Sequence, residues 1–307
     1  MKLPLLLTVF TSLILPTAFS MSPPSPHQQT VKTSDGIRLA YNQTGPPNGQ
    51  NLLFITGWRQ AQVEWRKQAE YFSSIGYRVT TFDLRGHGDS DEPDFGYRIS
   101  RFAADLNDVL TQLDLKRVTV VGHSMGCSIM WAWFDQYPTS RTSRLSKFVF
   151  VDQSASMVAD PHWTPAEAAQ ISAIFSPGAV YDVAFDMAAQ LGPLVRSMFT
   201  SAVSEADYQW VLSQNKKMSD AHAAALLRDH AFRDWRDVLP RIKGVPTLVL
   251  AGAVSIFPPA GIEWIAGQIP GAKKYTFTAA ERGSHFMFWE NPERFNAVVL
   301  EFLRQQH

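Results

Sequence analysis

The amino-acid sequence predicts an α/β fold with a mostly parallel central sheet and helices on both of its faces. Short apolar segments with strand character alternate with longer segments of helical spacing along most of the 307 residues, and this alternation is typical of parallel sheets. The alternation stops between residues 155 and 234, where no strand pattern is visible. A simple connection is much shorter than this, so we expect a helical cap inserted between the sixth and seventh main strands.

In chain order, the first expected element is a hairpin between residues 30–33 and 37–41. Asp35 and Gly36 form a strong turn signal between its two strand segments. Further strands are predicted at Asn51–Ile55 and at residues 77–82, 118–121, 148–151, 247–250 and 274–277. Helices are predicted at residues 63–75 and 100–113, at Met125–Gln136, and after Asn291, where Pro292 suits the first helical turn.

The first 20 residues resemble a secretory signal. Lys2 precedes an apolar stretch, and the segment ends in Ala18-Phe19-Ser20, which fits cleavage after Ser20. The stretch is shorter than a membrane-spanning helix needs to be, so we expect secretion, no stable membrane anchor, and a folded domain of residues 21–307. An uncleaved anchor is one alternative. Translation from Met21 is the other, and it would leave the protein cytoplasmic.

The charge balance limits the classes of partner. The chain has 28 basic and 28 acidic residues, and no run of like charges interrupts this balance. Nucleic acid and other polyanions are therefore not expected as partners. Cys127 is the one cysteine of the chain, so an intrachain disulfide cannot form. Hydrophobic residues make up 45% of the sequence, which is enough for a large core.

The strongest local signal is Gly122-His123-Ser124-Met125-Gly126, which lies between a predicted strand and a predicted helix. A turn this tight leaves room only for glycine beside the central serine, and it holds the serine hydroxyl above the sheet in a strained backbone conformation. The helix that follows begins with a partial positive charge that favours a developing oxyanion. Ser124 is therefore the candidate nucleophile, although the pattern by itself also occurs in ordinary turns.

A serine hydroxyl needs a general base, and His285 is the best-placed histidine. It follows the last predicted strand in Arg282-Gly283-Ser284-His285, and open α/β sheets hold their sites at the carboxyl ends of strands. The other histidines lie at the chain ends, beside the nucleophile, in the turn around His87, or in and near the cap. We therefore expect His285 to take the proton of Ser124.

An oxyanion formed at this serine needs two backbone N–H donors. The first is predicted at Met125, directly after the nucleophile. The second is predicted at Trp58, in the segment after the third strand, because Gly57 lets the backbone pass close to the reacting carbon. The alternative is that the Trp58 loop serves packing alone.

Four motifs follow one another along the chain: Thr56-Gly57-Trp58, Asp83-Leu84-Arg85-Gly86-His87-Gly88-Asp89-Ser90, the elbow at residues 122–126, and Gly283-Ser284-His285. Together they resemble the α/β-hydrolase superfamily over residues 30–305, most of all its esterases and cofactor-independent haloperoxidases. The resemblance implies an α/β-hydrolase fold, a serine-dependent enzyme and a structural role for Arg85 and His87. Relatives usually have histidine where this chain has Thr56. The sequence therefore does not say which side chain holds the loop around Gly57 and Trp58, the oxyanion loop, in place.

The acid that orients His285 is expected at one of two strand ends. In most of the superfamily it follows the strand that here ends at Leu250, where this chain has Ser255 and no carboxylate in residues 251–259. Some branches place the acid one strand earlier, and that position is Asp152. The acid has only to accept from the imidazole and stabilise the imidazolium, so the resemblance implies Asp152. The alternative is that Asp152 caps the segment after it.

The resemblance implies hydrolysis of an ester or related acyl bond, with Gly57, Met157 and Phe286 as candidate pocket residues. Large apolar side chains fill the cap and follow His285, so we expect a hydrophobic or aromatic small molecule as substrate. No metal-ligand spacing and no dinucleotide-binding glycine pattern is visible in the sequence, and no metal or cofactor is expected. Perhydrolysis, carbon–carbon bond cleavage and a biosynthetic cyclisation remain open, as does a ligand-binding protein with little turnover.

Overall fold

The computed structural model describes residues 29–305. The predicted signal at residues 1–20 lies outside them and stays a prediction. The strands of the described part are β1 (Gln29–Lys32), β2 (Arg38–Thr44), β3 (Asn51–Ile55), β4 (Arg78–Phe82), β5 (Val118–His123), β6 (Leu145–Val151), β7 (Thr247–Gly252) and β8 (Lys273–Phe277). They form a single sheet in the order β1-β2-β4-β3-β5-β6-β7-β8. Strand β2 pairs antiparallel with β1 and β4, and the other pairs of this sheet are parallel, which confirms the predicted fold class.

Helices connect most of these strands. Within residues 29–305 they are α1 (Arg66–Ser74), α2 (Ile99–Gln112), α3 (Met125–Gln136), α4 (Pro138–Arg144), α5 (Pro165–Gln170), α6 (Pro177–Phe185), α7 (Met187–Ser197), α8 (Glu205–Asn215), α9 (Asp220–Ala231), α10 (Pro259–Gln268), α11 (Met287–Glu290) and α12 (Pro292–Arg304). A short 3-10 helix, Gln62–Trp65, precedes α1 where the sequence predicts a continuous helix at residues 63–75. No helix of the described region combines the length and apolar character needed to cross a membrane.

The helical cap lies where the sequence predicts it, since α5 to α9 all fall between β6 and β7. Local side chains explain where these helices begin. Four of them start after a serine or threonine whose hydroxyl accepts a hydrogen bond from a backbone N–H of the first turn, an arrangement that stabilises a helix by about 1 kcal/mol. These residues are Thr164, Ser176, Ser204 and Ser219.

The central sheet separates two apolar cores. Leu53 and Ile55 of β3 belong to one core, whereas Leu52 and Phe54 belong to the other, as the alternation of side chains along a strand requires. Helices α2, α3 and α10 cover the first face, and α1 and α12 cover the second. Burial of both faces is typical of parallel strands connected by helices.

Strand register brings the candidate residues to one edge of the sheet. His123 of β5 pairs with Val151 of β6, and Val151 pairs with Leu250 of β7. The residues that follow these strands therefore emerge side by side at the carboxyl edge of the sheet. Ser124 and Asp152 are the first residues beyond β5 and β6.

Candidate active site

Ser124 occupies a strained turn between β5 and α3. Its backbone dihedral angles are φ 52° and ψ −126°, and such a conformation costs a non-glycine residue about 1–3 kcal/mol. The surrounding ladder enforces it, because Ser124 N–H donates to the Val151 carbonyl oxygen at 2.8 Å. Strain of this kind is expected where a side chain must project above a sheet.

The two glycines of the elbow are required by close packing. A Cβ atom on Gly122 would lie 2.3 Å from Met130 Sδ, and one on Gly126 would lie 2.9 Å from the Ile55 carbonyl oxygen. Cys127 is buried just behind them and donates to the Gly122 carbonyl oxygen at 3.0 Å. Burial raises the pKa of this thiol, so it remains protonated and is a poor nucleophile.

His285 lies beside Asp152, as the triad hypothesis requires. Its Nδ1 is 2.6 Å from Asp152 Oδ2, and both side chains are buried, with 2% and 0% of their surface exposed. A carboxylate accepts this hydrogen bond from Nδ1–H, which leaves Nε2 as the basic nitrogen of the ring. Both His285 and Ser124 line the same cavity.

The carboxylate of Asp152 is held from three sides. Ser255 Oγ donates to Oδ2, the oxygen that also faces His285, and Gly252 N–H donates to Oδ1 at 3.2 Å. Ser255 occupies the position at which most relatives are expected to carry the acid. It instead supports the acid on the neighbouring strand end. These donors lie about a hundred or more residues away along the chain, which does not fit a cap of the segment after Asp152.

The predicted oxyanion loop passes directly over Ser124. A Cβ atom on Gly57 would lie 2.9 Å from Ser124 Cβ, so a larger residue could not take this place without displacing the loop. The amide of Gly57 donates to Gln60 Oε1 at 2.5 Å, which turns that amide away from an oxyanion. Trp58 follows next along the chain, and Met125 begins α3, where a first-turn N–H has no partner within the helix.

A buried polar network braces this loop in place of the usual histidine at position 56. Gln60 accepts from the Gly57 amide and donates from Nε2 to Glu64 Oε2 at 2.8 Å. Glu64 is fully buried, and its Oε1 also accepts from Ala61 N–H at 3.1 Å. Burial raises the pKa of Glu64 to about 8. The sequence analysis missed both residues, because their partners come together only in the folded loop.

His123 joins this brace to the loop of His285. Its Nδ1 lies 2.8 Å from Gln60 Oε1, and its Nε2 lies 2.8 Å from the carbonyl oxygen of His285. Both partners are acceptors, so only the doubly protonated ring can donate to both. Burial lowers the pKa of His123 well below its usual value. The neutral ring can therefore donate only one of these two hydrogen bonds.

Two residues of the oxyanion loop bind the cap. Trp58 Nε1 donates to the Ala223 carbonyl oxygen of α9 at 2.9 Å. Arg59 is buried and donates to the carbonyl oxygens of Asn215 and Met218 and to the Asp220 carboxylate. The backbone of Arg59 has φ 61°, and its N–H donates to His87 Nε2 at 3.0 Å. The cap and the loop are thus fixed to each other by direct hydrogen bonds.

The turn that contains Arg85 and His87 supports the loop from the other side. Burial lowers the pKa of His87 to about 4, and His87 Nδ1 lies 2.8 Å from the Arg85 carbonyl oxygen. Arg85 itself binds the buried carboxylate of Asp105 and the more exposed carboxylate of Asp35. Neither residue is among those that line the cavity.

A narrow, mostly apolar cavity connects the cap to Ser124 and His285. Of the three predicted pocket residues, Met157 and Phe286 line it, whereas Gly57 lies against Ser124 without forming part of its wall. The space open to the centre of a water molecule is about 60 Å³, which is room for roughly four to six waters. His230 also lines this space, and the sequence analysis assigned it no role. Among residues 29–305 there is no group of three or more His, Cys, Asp or Glu side chains able to hold a metal ion.

Comparison with known proteins places the chain among proteins of related architecture. A family model described as alpha/beta hydrolase fold matches residues 50–292. A protein of Synechocystis sp. that is classed with the non-heme chloroperoxidases is 28% identical over 279 residues, which cover 89% of this chain and 97% of that protein. A non-heme chloroperoxidase of Streptomyces lividans is 41% identical over 97 residues, but this match covers only 32% of this chain and 35% of the relative.

Solved structures show the same fold. The bromoperoxidase of Bacillus anthracis superposes with a TM-score of 0.81 at 24% identity, covering 91% of this chain and all (100%) of that one. An esterase of Exiguobacterium antarcticum superposes with a TM-score of 0.78 at 24% identity and with the same coverage of 91% and 100%. At this identity the likeness concerns the fold alone.

Proposed function

We propose that this chain, which belongs to the α/β-hydrolase family, hydrolyses an ester or related acyl bond of a hydrophobic small molecule. In this proposal Ser124 is the nucleophile, His285 the general base and Asp152 the acid that orients it. The observation that carries the proposal is the 2.6 Å contact between His285 Nδ1 and Asp152 Oδ2 at the edge of a cavity that Ser124 also lines.

The reaction would proceed through an acyl-enzyme. Ser124 Oγ attacks the carbonyl carbon while His285 Nε2 takes the hydroxyl proton, and the same nitrogen then protonates the departing alcohol. Water then attacks the acyl carbon while it loses a proton to His285, and His285 returns this proton to Ser124 Oγ as the acid departs. Asp152 stabilises the imidazolium that forms in each half of the reaction.

The backbone amides of Trp58 and Met125 would hold the oxyanion. The support for this role is that Gln60 binds the Gly57 amide, which leaves the following amide of the loop to face the reacting oxygen. Fixed donors in a site that excludes water are worth about 2.7–4 kcal/mol each in comparable enzymes. The aromatic side chains of Phe257 and Phe286 pack near the His285 ring and keep water away from it.

The cavity suggests a compact acyl group. Its lining is apolar on the cap side, with Met157, Leu194 and Met198 among the contributors, and its free space is small. We therefore propose short or compact acyl esters as the preferred substrates. The balanced charge of the chain supports a neutral small molecule in preference to nucleic acid.

Perhydrolysis is the second candidate, and the chloroperoxidase relatives favour it. The Synechocystis protein aligns over nearly its whole length, so a shared reaction on the same acyl-enzyme is reasonable. Hydrogen peroxide would then replace water as the second nucleophile, and the acyl group would leave Ser124 as a peracid. The two reactions differ only in the second nucleophile, and adding peroxide to an ester assay distinguishes them.

A panel of p-nitrophenyl esters from acetate to dodecanoate tests the proposal. We expect the highest kcat/KM at the short end, and a loss of roughly a millionfold in kcat for Ser124→Ala. An unchanged rate in Ser124→Ala, or no hydrolysis of any ester by the folded wild type, would overturn the proposed function. Peracid release on addition of peroxide would favour the second candidate.

A further inference from the structure

The wall of the cavity that belongs to the cap contains a histidine with unused hydrogen-bonding capacity. His230 lies in the last turn of α9 and is only 3% exposed. Leu227, one turn earlier, lines the cavity beside it. Within residues 29–305, Nδ1 of His230 is buried and has no hydrogen-bond partner. A buried imidazole nitrogen without a partner is uncommon, because it has lost water without gaining a replacement.

The ring is neutral near neutral pH. Burial lowers the pKa of His230 to about 4, so the imidazole presents one N–H donor and one acceptor nitrogen. Such a ring can bind a hydroxyl group or a carbonyl oxygen without the cost of burying a charge. It can therefore contact an uncharged substrate.

Other polar groups of the cavity wall are already engaged. Trp58 Nε1 donates to the Ala223 carbonyl oxygen, and the Gln60 amide is held between Gly57 and Glu64. Asn215 Nδ2 donates to the Val211 carbonyl oxygen at 2.9 Å. His230 differs from these groups, because its ring lines the cavity while its Nδ1 has no hydrogen-bond partner among the described residues.

We propose that His230 is a specificity-determining residue that binds a second oxygen of the substrate, a hydroxyl or carbonyl oxygen apart from the ester that is cleaved. The preferred substrates would then be compact oxygenated esters rather than esters of plain hydrocarbon chains. This inference rests on the proposed ester hydrolysis and specifies its substrate class. The rest of the cavity wall is mostly apolar, so few other groups compete for the second oxygen, and a substrate without that oxygen leaves the ring without a partner.

The test compares esters that differ in one oxygen. Methyl 3-hydroxybutanoate and methyl 3-oxobutanoate carry the second oxygen on the acyl side, 2-hydroxyethyl butanoate carries it on the alcohol side, and methyl and propyl butanoate lack it. We expect the wild type to prefer at least one oxygenated ester by roughly tenfold in kcat/KM, the value of one net hydrogen bond. His230→Leu should abolish this preference, measured as the ratio of kcat/KM on the oxygenated ester to kcat/KM on the matched plain ester.

Two further variants keep the test decisive. His222→Leu removes a histidine from the first turn of the same helix, where its ring binds Glu92, and it should retain the preference. His230→Gln keeps a polar group and should retain part of it. His230→Leu should also melt no earlier than the wild type, since it removes a nitrogen that has no partner.

Equal loss on plain and oxygenated esters in His230→Leu, early melting of that variant, or no preference in the wild type would overturn the role of His230. These outcomes leave Ser124-dependent hydrolysis of the plain esters intact. If the folded wild type cleaves none of the five esters, the proposed function itself fails and the substrate class fails with it.

Discussion

The sheet side and the cap side of the cavity are held by different kinds of contact. Ser124 and Asp152 directly follow two neighbouring parallel strands, so the backbone ladder fixes their positions relative to each other. His230 and Leu227 instead lie on a cap helix that reaches the cavity through side-chain packing. Strand-end residues tolerate little change in position, whereas a residue on the cap can change without moving the reacting groups. We therefore expect the residues of the sheet side to carry the chemistry and those of the cap side to set the selectivity.

The oxyanion loop belongs to both regions. Gly57 lies against Ser124, whereas Trp58 and Arg59 bind backbone and side-chain oxygens of the cap. A shift of the cap would therefore be transmitted to the donors of the oxyanion hole. This arrangement makes the loop the place where the two regions influence each other.

The largest effect is expected from a change on the sheet side. Asp152→Asn preserves the shape of the side chain but removes the charge that stabilises the His285 imidazolium, and kcat should fall by about 10⁴-fold. Combining it with Ser255→Asp should restore part of the activity, because Ser255 Oγ already reaches the same carboxylate. Measurement of kcat and Tm on the same samples checks this. Early melting with normal turnover per folded molecule would remove Asp152 from the mechanism.

An intermediate effect is expected where the two regions meet. Gln60→Ala removes the acceptor of the Gly57 amide and the side-chain donor to Glu64 Oε2, so the loop should lose its position. We expect kcat to fall roughly ten- to a hundredfold with little change in KM, less than the loss of an oxyanion donor itself. Gln62→Ala is the matched control, since Gln62 is also buried but binds Asp83 instead of the loop. Equal losses of kcat in both variants would contradict the bracing role.

The smallest effect concerns stability and pH. Burial raises the pKa of Glu64 from 4.5 to about 8, so the folded chain keeps this proton over a range in which the unfolded chain has lost it. The stability that Glu64 contributes is therefore lost as the pH rises towards 8. Burial also raises the pKa of Asp83, to about 6. The stability that Asp83 contributes is lost as the pH rises towards 6, below the range that concerns Glu64. The buried histidines act in the opposite direction between pH 6 and pH 8, because their pKa values are lowered in the folded chain. The contribution of Glu64 is therefore measured as the difference between the wild type and a Glu64 variant.

Urea unfolding of Glu64→Gln at these two values of pH checks this prediction. The variant should lose less stability than the wild type when the pH is raised from 6 to 8, the two pKa values of the buried carboxyl groups. Glu70→Gln, a change on the exposed side of α1, should behave like the wild type. If the free energy of unfolding of Glu64→Gln changed between these two values of pH as much as that of the wild type, the raised pKa of Glu64 would be contradicted.

Much of the sheet could be predicted from the sequence because buried strands have strong local signals. The bounds of Asn51–Ile55 and Met125–Gln136 agree with the structure to the residue. Helix α10, Pro259–Gln268, was not predicted, since it contains two glycines and its apolar residues form only a weak stripe. Helix α4 buries no residue at all, so the hydrophobic periodicity that identifies a surface helix is missing from it.

The site residues that come directly after strands could be predicted from the sequence. Ser124 and His285 were inferred from their places after strands and Asp152 from the family resemblance, and the structure brings His285 and Asp152 into contact. Gln60 and His230 were missed for different reasons. Gln60 acts through neighbours that only the folded loop brings together, and His230 lines the cavity only because of how α9 packs against α6 and α7. No local pattern in the cap indicates that orientation.

Covalent labelling of Ser124 tests the central claim most directly. A fluorophosphonate should react with the wild type at one site, and peptide mass mapping should place the adduct on the segment that contains Ser124. Ser124→Ala should take up no label, and His285→Ala should be labelled far more slowly, because the nucleophile has lost its base. An adduct on another serine, or undiminished labelling of either variant, would contradict the assignment of the chemistry to the sheet side of the cavity.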